Sequence, residues 1–349
     1  MKRNILSGAA LALAALTLVA CAGPAGDPAS QPDSDGAGGG LPSVAHNVAG
    51  SLGDQSFLDD AESGIQALAA DGSETTTVQG DDSNPAQWRA NLETLSNGDW
   101  DLIVTGSYPM IDNMLETAPK YPEQKYIFYD AFVDAPNIAS ITYKQNEGAF
   151  LSGVLAALAT TNPDLFPKSE GSKVVGMVGG MDIPVINDFA AGFRSGVAAV
   201  DPEIKVLVSY VGDFTNSNRA YDQAKAMFEQ EGADVVFQVA SGAGLGVLQA
   251  AEDTDNYAIG VDLNQNDFNP GFILASMLKN VGASIQSAVA DYKAGTLVFG
   301  AVTAYGLANN GVSLTFENNS DIVPQEIQDE VDRIAQLVIS GEIVVDTVF

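Results

Sequence analysis

Short apolar runs alternate with longer amphipathic segments along most of the chain. The clearest case lies at residues 173–197, where the apolar run Val174–Val178 is followed by two glycines and then by Pro184. Such a run is typical of a parallel strand that helices cover on both faces. The glycines allow a tight turn, and Pro184 suits the first helical position, where a missing N–H costs nothing. The pattern predicts a strand, a turn and a helix.

This strand and helix unit recurs in two consecutive sets. The first set has predicted strands at 41–49, 75–78, 100–105, 125–129 and 138–143, and the second at 173–179, 204–210, 234–239 and 257–261. Later segments predict strands at 272–276 and 297–304 and helices at 281–292 and 325–339. Strands that alternate with helices are typical of a doubly wound parallel sheet, so we predict an α/β fold with two similar lobes.

The lobe boundaries follow from where the two sets meet. We predict that the chain crosses between the lobes three times, near Tyr143, Asp262 and Phe299, and that these crossings form a hinge. The first lobe then comprises residues 42–143 with 265–299, and the second comprises 144–264 with 300–349.

The amino terminus has the pattern of an exported lipoprotein. Lys2 and Arg3 precede a short apolar stretch that ends at Cys21, the single cysteine of the chain. We predict a signal peptide at 1–20, lipidation of Cys21 and a flexible linker at 21–41, since the linker is rich in Gly, Pro, Ala, Ser and Asp. The protein would then be anchored to the cell membrane on its extracytoplasmic face. A plain secretory signal is the alternative.

Composition excludes several classes of function. The net charge of −30 argues against nucleic acid as a partner, because phosphate contacts need clustered Lys and Arg. One histidine and one cysteine leave little material for a metal site or for a nucleophile with its general base. We therefore expect a protein that is not an enzyme and that uses neither a metal nor a cofactor.

Residues just past the carboxyl ends of parallel strands face the ligand cleft in open α/β sheets. Nine candidate ligand-binding residues meet this condition: Asp54, Ser56, Phe57, Asp130, Asn187, Phe214, Gly242, Asp262 and Lys279. Aromatic rings sandwich a flat ligand and carboxylates accept from its hydroxyl or amino groups, so the set suits a small neutral molecule. Simpler roles stay open, since Asp54 could cap a helix, Phe57 could be core and Lys279 could be solvated.

Several segments, in order along the chain, resemble the basic membrane protein family of bacterial lipoproteins. They include GDQSF at 53–57, NEGAFLSGVLAA at 146–157, VGGMDIPVINDFAAGFRSGV at 178–197, VASGAGLGVLQAAE at 239–252, IGVDLNQ at 259–265 and SMLK at 276–279. The family comprises the purine-nucleoside-binding components of ABC importers. The resemblance implies a type I periplasmic-binding-protein fold, a nucleoside held between the lobes and an ABC permease as partner.

The resemblance also implies roles for single residues. Phe57 matches the ring-stacking aromatic of the family and Asp130 its base-reading carboxylate, while Asp262 and Lys279 match the residues that hold the ribose. Phe214 is our candidate for the opposite face of the base, because of its loop position.

The sequence departs from the family pattern at Val48, Leu58 and Asn264, which bears on the identity of the ligand. Three alternatives stay open: a binding protein for a sugar or autoinducer, a nucleoside hydrolase, and a sensor that presents its closed form to a receptor. We expect a monomer.

Overall fold

The computed structural model describes residues 40–349. The predicted signal peptide, the lipidation at Cys21 and nearly all of the predicted linker lie outside the described residues. Among the helices that are described, none combines the length and the apolar character needed to cross a membrane.

The first lobe is built on a six-stranded parallel sheet with the order β11-β5-β4-β3-β1-β2. Its strands are β1 (Val44–Val48), β2 (Thr75–Gln79), β3 (Leu102–Gly106), β4 (Tyr126–Tyr129), β5 (Ile138–Tyr143) and β11 (Val302–Tyr305). Its helices are α1 (Phe57–Ala70), α2 (Pro85–Ser96), α3 (Ile111–Thr117) and α8 (Val281–Ala294).

The second lobe repeats this plan in a sheet with the order β12-β10-β9-β8-β6-β7. Its strands are β6 (Val174–Gly179), β7 (Lys205–Tyr210), β8 (Val235–Val239), β9 (Tyr257–Asp262), β10 (Ile273–Lys279) and β12 (Val312–Thr315). Its helices are α4 (Gln145–Thr161), α5 (Pro184–Val200), α6 (Ser217–Glu229), α7 (Leu245–Asp253) and α9 (Gln325–Ile339). The edge strand β12 is antiparallel to β10, so this sheet is mixed.

The predicted α/β fold with two parallel-sheet lobes is confirmed, but two of the predicted crossings are misplaced. The first crossing lies between β5 and α4, as predicted near Tyr143. The second lies between β10 and α8 rather than near Asp262, because β10 pairs with β9 in the second sheet. The third lies between β11 and β12 rather than near Phe299, because β11 pairs with β5 in the first sheet.

The predicted lobe boundaries change accordingly. Residues 265–279 belong to the second lobe rather than the first, and β11 belongs to the first lobe rather than the second. Sheet membership is a long-range property, which the local pattern of apolar residues does not report.

Two central helices of the second lobe pack at unusually short range. A Cβ atom added at Gly196 of α5 would lie 2.0 Å from the carbonyl oxygen of Phe150 in α4, and one at Gly153 of α4 would lie 2.2 Å from that of Phe193 in α5. Glycine is therefore required for these backbones to approach each other. This contact holds α4, which directly follows the first crossing, against α5, which begins at the cleft.

Candidate functional site

The two sheets turn the carboxyl ends of their parallel strands toward a common cleft. Four residues at or just past these ends have a positive φ although they are not glycine: Ser107 (80°), Asp130 (74°), Ser241 (51°) and Asp262 (65°). Such a backbone costs about 1–3 kcal/mol per residue and is found preferentially at functional sites. The strained positions therefore mark this edge of both sheets as the candidate site.

Lys279 lies at the centre of the cleft, at the end of β10. Its side chain is 2% exposed and forms an ion pair with Asp130, whose side chain is 7% exposed and follows β4 in the other lobe. The ammonium also lies over the rings of Tyr143, Phe57 and Phe189, at 5.0, 5.3 and 5.4 Å from their centroids. Cation–π contacts and one carboxylate thus hold a cation that is almost completely removed from water.

This ion pair joins the lobes in a dry environment. Burial raises the pKa of Asp130, and the Lys279 ammonium partly opposes that rise. A buried ion pair recovers the cost of desolvation only while both partners are present. Each of the two charges therefore depends on the other for its compensation.

Asp262, at the end of β9, is a second buried carboxylate. It accepts a hydrogen bond of 2.5 Å from the hydroxyl of Ser56, in the first lobe. Burial raises its pKa to about 7, although Lys279 and the Ser56 hydroxyl lower it. Near neutral pH this carboxyl group can therefore either donate or accept a hydrogen bond.

Other hydrogen bonds also cross the cleft. The hydroxyl of Ser241 donates to Asp54 Oδ2 at 2.6 Å, and Gln265 Nε2 donates to the carbonyl of Gln55 at 3.0 Å. Asp54 also accepts from the backbone N–H of Leu58 at 2.9 Å, so it caps the start of α1 as well as contacting the second lobe. The cleft is closed at this end.

The structure thus brings six of the nine predicted residues to the interface of the lobes: Asp54, Ser56, Phe57, Asp130, Asp262 and Lys279. Gly242 also faces this interface, since a Cβ atom added there would lie 3.5 Å from Asp54 Cα.

Two predicted residues have their described contacts within the second lobe. Asn187 Nδ2 donates to Asp182 at 2.9 Å, and its Oδ1 accepts from the Tyr210 hydroxyl. The half-buried ring of Phe214 lies against Gly180. Phe57 contacts the ring of Tyr129, 5.7 Å away between centroids.

Residues beneath Phe57 were missed as part of the site. Tyr129 is completely buried, and its hydroxyl lies 3.2 Å from Nε2 of His46. His46 Nδ1 in turn lies 2.8 Å from Glu62. These three side chains come from β4, β1 and α1, so adjacency in the sequence gives no sign of them. Tyr129 packs against the ring of Phe57, and His46 and Glu62 hold Tyr129 through a chain of hydrogen bonds.

A cavity of about 740 Å³ opens beside Asp130, at the end of the cleft away from Asp54. Of the nine predicted residues, Asp130 alone lines this cavity. Its walls come from both lobes and from residues 341–349, a segment for which no part in the site was predicted. Among residues 40–349, no group of three or more His, Cys, Asp or Glu side chains is arranged to hold a metal ion.

Comparison with known proteins assigns the chain to a family. The model of the Bmp family, described as "ABC transporter substrate-binding protein PnrA-like", matches residues 41–347. The chain belongs to the Bmp family. The resemblance found from the motifs is therefore confirmed, and the chain is a substrate-binding protein of the ABC transporter class.

Curated relatives of this Bmp protein share a little over a quarter of its residues. The CD4+ T-cell-stimulating antigen of Listeria monocytogenes is 29% identical and aligns with 84% of this chain and 85% of its own. The ABC transporter nucleoside-binding protein BmpA of Lactococcus lactis is 27% identical, and 99% of each chain is covered. Basic membrane protein A2 of Borrelia garinii is 28% identical, with 88% of each chain covered.

Solved structures agree on the fold of this Bmp protein. A solute-binding protein of an ABC transporter system from Aeropyrum pernix superposes with a TM-score of 0.76, at 26% identity, and covers 87% of this chain and 92% of its own. A second one, from Conexibacter woesei, has a TM-score of 0.69 at 23% identity, with 88% and 100% covered.

Proposed function

We propose that this protein captures a purine nucleoside between its two lobes and delivers it to an ABC permease. One observation carries the proposal: Phe57 and Asp130 from the first lobe meet Asp262 and Lys279 from the second in one buried cluster. An aromatic face, two carboxylates and one ammonium match the base and the sugar of a nucleoside. The Lactococcus lactis relative, named for nucleoside binding, supports the same ligand class.

Each group has a distinct part in this capture. The base stacks on Phe57, which contributes about 1–3 kcal/mol. Asp130 accepts hydrogen bonds from N–H groups on the base, while Asp262 and Lys279 bind the ribose hydroxyls, at roughly 1.5–3 kcal/mol for each bond to a charged group. Phe214 is the candidate for the second face of the base, and Asn187 and Gly242 complete the ligand set. When the ligand binds, Lys279 would give up part of its contact with Asp130 and donate hydrogen bonds to the sugar instead.

Closure then prepares the protein for transport. The hydrogen bonds from Ser56 to Asp262 and from Ser241 to Asp54 stabilise the closed lobes, which would be the form that docks on the permease. Lipidation at Cys21 would hold the protein as a monomer on the extracytoplasmic face of the membrane. The role is binding without catalysis, and it requires no cofactor.

Calorimetric titration of the purified chain with guanosine, inosine, adenosine and ribose tests the ligand. We expect at least one purine nucleoside to bind at micromolar or tighter Kd, about −8 kcal/mol. Ribose should bind far more weakly, because it lacks the ring that stacks on Phe57. Tight binding of ribose with no preference for a purine would overturn the proposal and favour a sugar-binding protein.

A substitution at Phe57 tests the stacking face. Phe57→Ala should weaken nucleoside binding by about tenfold to a hundredfold, since one stacked base contributes about 1–3 kcal/mol. Phe299→Ala is the matched control, because Phe299 is a half-buried aromatic that contacts Lys125, just before the amino end of β4 and thus away from the cleft. Equal effects of the two substitutions on Kd would argue against stacking at Phe57.

A further inference from the structure

The cavity beside Asp130 is walled mainly by apolar side chains from three parts of the chain. Tyr108, Ile111 and Phe132 come from the first lobe, and Val185 comes from α5 of the second. Much of the remaining apolar wall is formed by the carboxyl-terminal segment, which we define as residues 341–349 and which contributes Ile343, Val344, Val345 and Phe349. A largely apolar cavity of this volume falls within the range of small-molecule pockets.

The carboxyl-terminal segment is fixed in place rather than loosely laid across the opening. Asp188 of α5 is almost completely buried, and its Oδ1 accepts from the hydroxyl of Thr347 at 2.7 Å and from the N–H of Val348 at 3.0 Å. Asn146 of α4 donates to the carbonyl of Asp346 at 3.1 Å. Buried polar groups therefore hold this wall in a defined position.

The cavity begins where the proposed base site ends. Asp130 belongs to both, because its carboxylate contacts Lys279 and also lines the cavity. Phe57, Asp262 and Lys279 do not line it, so the groups proposed to bind the ring face and the sugar lie outside the cavity. A substituent attached to the base edge that Asp130 reads would therefore have space to enter the cavity.

We infer that the site accepts purine nucleosides with a large apolar substituent on the exocyclic amine, placed in the cavity beside Asp130. This inference rests on the proposed nucleoside function. A monosubstituted amine keeps one N–H to donate to Asp130, while its alkyl or aryl group is removed from water against Ile111, Val185 and Val345. A disubstituted amine has lost that donor.

Calorimetry with matched ligands tests this ligand class on the purified chain. The pairs are adenosine with N6-benzyladenosine, and guanosine with N2-benzylguanosine. For each parent that binds, we expect the benzyl derivative to bind within about threefold or more tightly. The smaller N,N-dimethyl derivatives should bind at least about tenfold more weakly, because a hydrogen bond to a charged group is lost.

Two cavity variants locate the substituent. Ile111→Trp fills the cavity and should weaken binding of the benzyl derivative by about tenfold or more, with little change for the parent. Phe132→Ala, at a side chain that is already 49% exposed, should weaken the benzyl derivative by a few fold without loss of folding. Val298→Trp is the control, since Val298 is exposed and outside the cavity lining.

The outcomes separate the inference from the function beneath it. A parent nucleoside that binds while its benzyl derivative is excluded overturns the inference alone. Equal loss of both ligands in Ile111→Trp, or dimethyl derivatives that bind as tightly as the parents, does the same. Failure of every parent and derivative to bind overturns the nucleoside proposal, and the inference falls with it.

Discussion

The two ends of the cleft are built in different ways. At the end near Asp54, hydroxyl and carboxylate groups of opposite lobes are joined by short hydrogen bonds. At the end near the carboxyl-terminal segment, mainly apolar residues line a cavity that opens to solvent. The Lys279–Asp130 pair lies between them. The contrast indicates that polar contacts hold the lobes together at one end, while an unfilled space remains between them at the other.

Removal of the central ammonium should have the largest effect on stability. Lys279→Met leaves Asp130 buried without its partner, and we expect the free energy of unfolding to fall by about 3–5 kcal/mol at pH 7. Denaturant unfolding measures this. Lys205→Met is the matched control, because Lys205 pairs with Glu231 while 58% exposed, and such pairs contribute about 0–1 kcal/mol.

A second substitution shows whether the loss comes from the unpaired carboxylate. Asp130→Asn in the Lys279→Met background removes the buried charge, so the double variant should recover most of the lost stability. Asn tolerates the positive φ at this position. If the double variant is as unstable as Lys279→Met, the packing of the lysine stem rather than the ion pair explains the effect.

The pH dependence of the free energy of unfolding should reveal the ionisation of Asp262, at the polar end of the cleft. Its folded pKa of about 7 exceeds the ordinary value of 3.8, so its contribution to stability is complete below about pH 4 and is lost as the pH rises to about 7. Asp262→Asn removes this dependence. The free energy of unfolding of the variant, relative to the unsubstituted chain, should therefore rise by on the order of 3 kcal/mol between pH 4 and 7.

A carboxylate whose pKa is lowered in the folded protein, rather than raised, provides the control. Burial acts to raise the pKa of Asp213, but the N–H groups of Thr215 and Asn216 outweigh it and hold the pKa below 3.8. Asp213→Asn should therefore give a flat difference between pH 5 and 7. A flat difference for Asp262→Asn as well would show that Asp262 ionises normally in the folded protein.

The smallest of these effects is expected from the contact at the rim of the polar end. Ser241→Ala removes the hydrogen bond to Asp54 and leaves the capping of α1 intact, so closure costs more. We expect nucleoside Kd to rise by about tenfold, as the loss of one bond to a charged group implies. Ser287→Ala is the control, since Ser287 is exposed and its hydroxyl donates to the carbonyl of Ala283 in its own helix. An unchanged Kd for Ser241→Ala would show that this contact does not drive closure.

Much of the fold was predictable because local pattern and packing agree. The strand Ile138–Tyr143 and the helix Gln325–Ile339 occur with the predicted bounds, and Pro184 opens α5 as its position indicated. Strand β12 was missed, because four residues at the edge of a sheet carry too little apolar periodicity. The sheet assignments of β10 and β11 were wrong, because pairing partners far along the chain decide them.

The site was predictable only where a residue follows a strand. Asp130 and Asp262 were found by that rule. In the structure Asp130 pairs with Lys279, and Asp262 lies close enough for the Lys279 ammonium to lower its pKa. The cavity was not predictable, because one of its walls consists of residues 341–349, which lie beyond the last helix and are fixed by Asp188 and Asn146 through contacts distant in sequence.

The place of β11 bears on how the chain acquires its fold during synthesis. Until Tyr305 has been made, β5 has no partner on one side, although every other strand of its sheet was completed before residue 144. An unpaired strand edge of this kind invites association with other chains. Before β11 is in place, β5 is therefore an open edge of the first sheet, and this edge needs protection from other chains until the chain has returned from the second lobe.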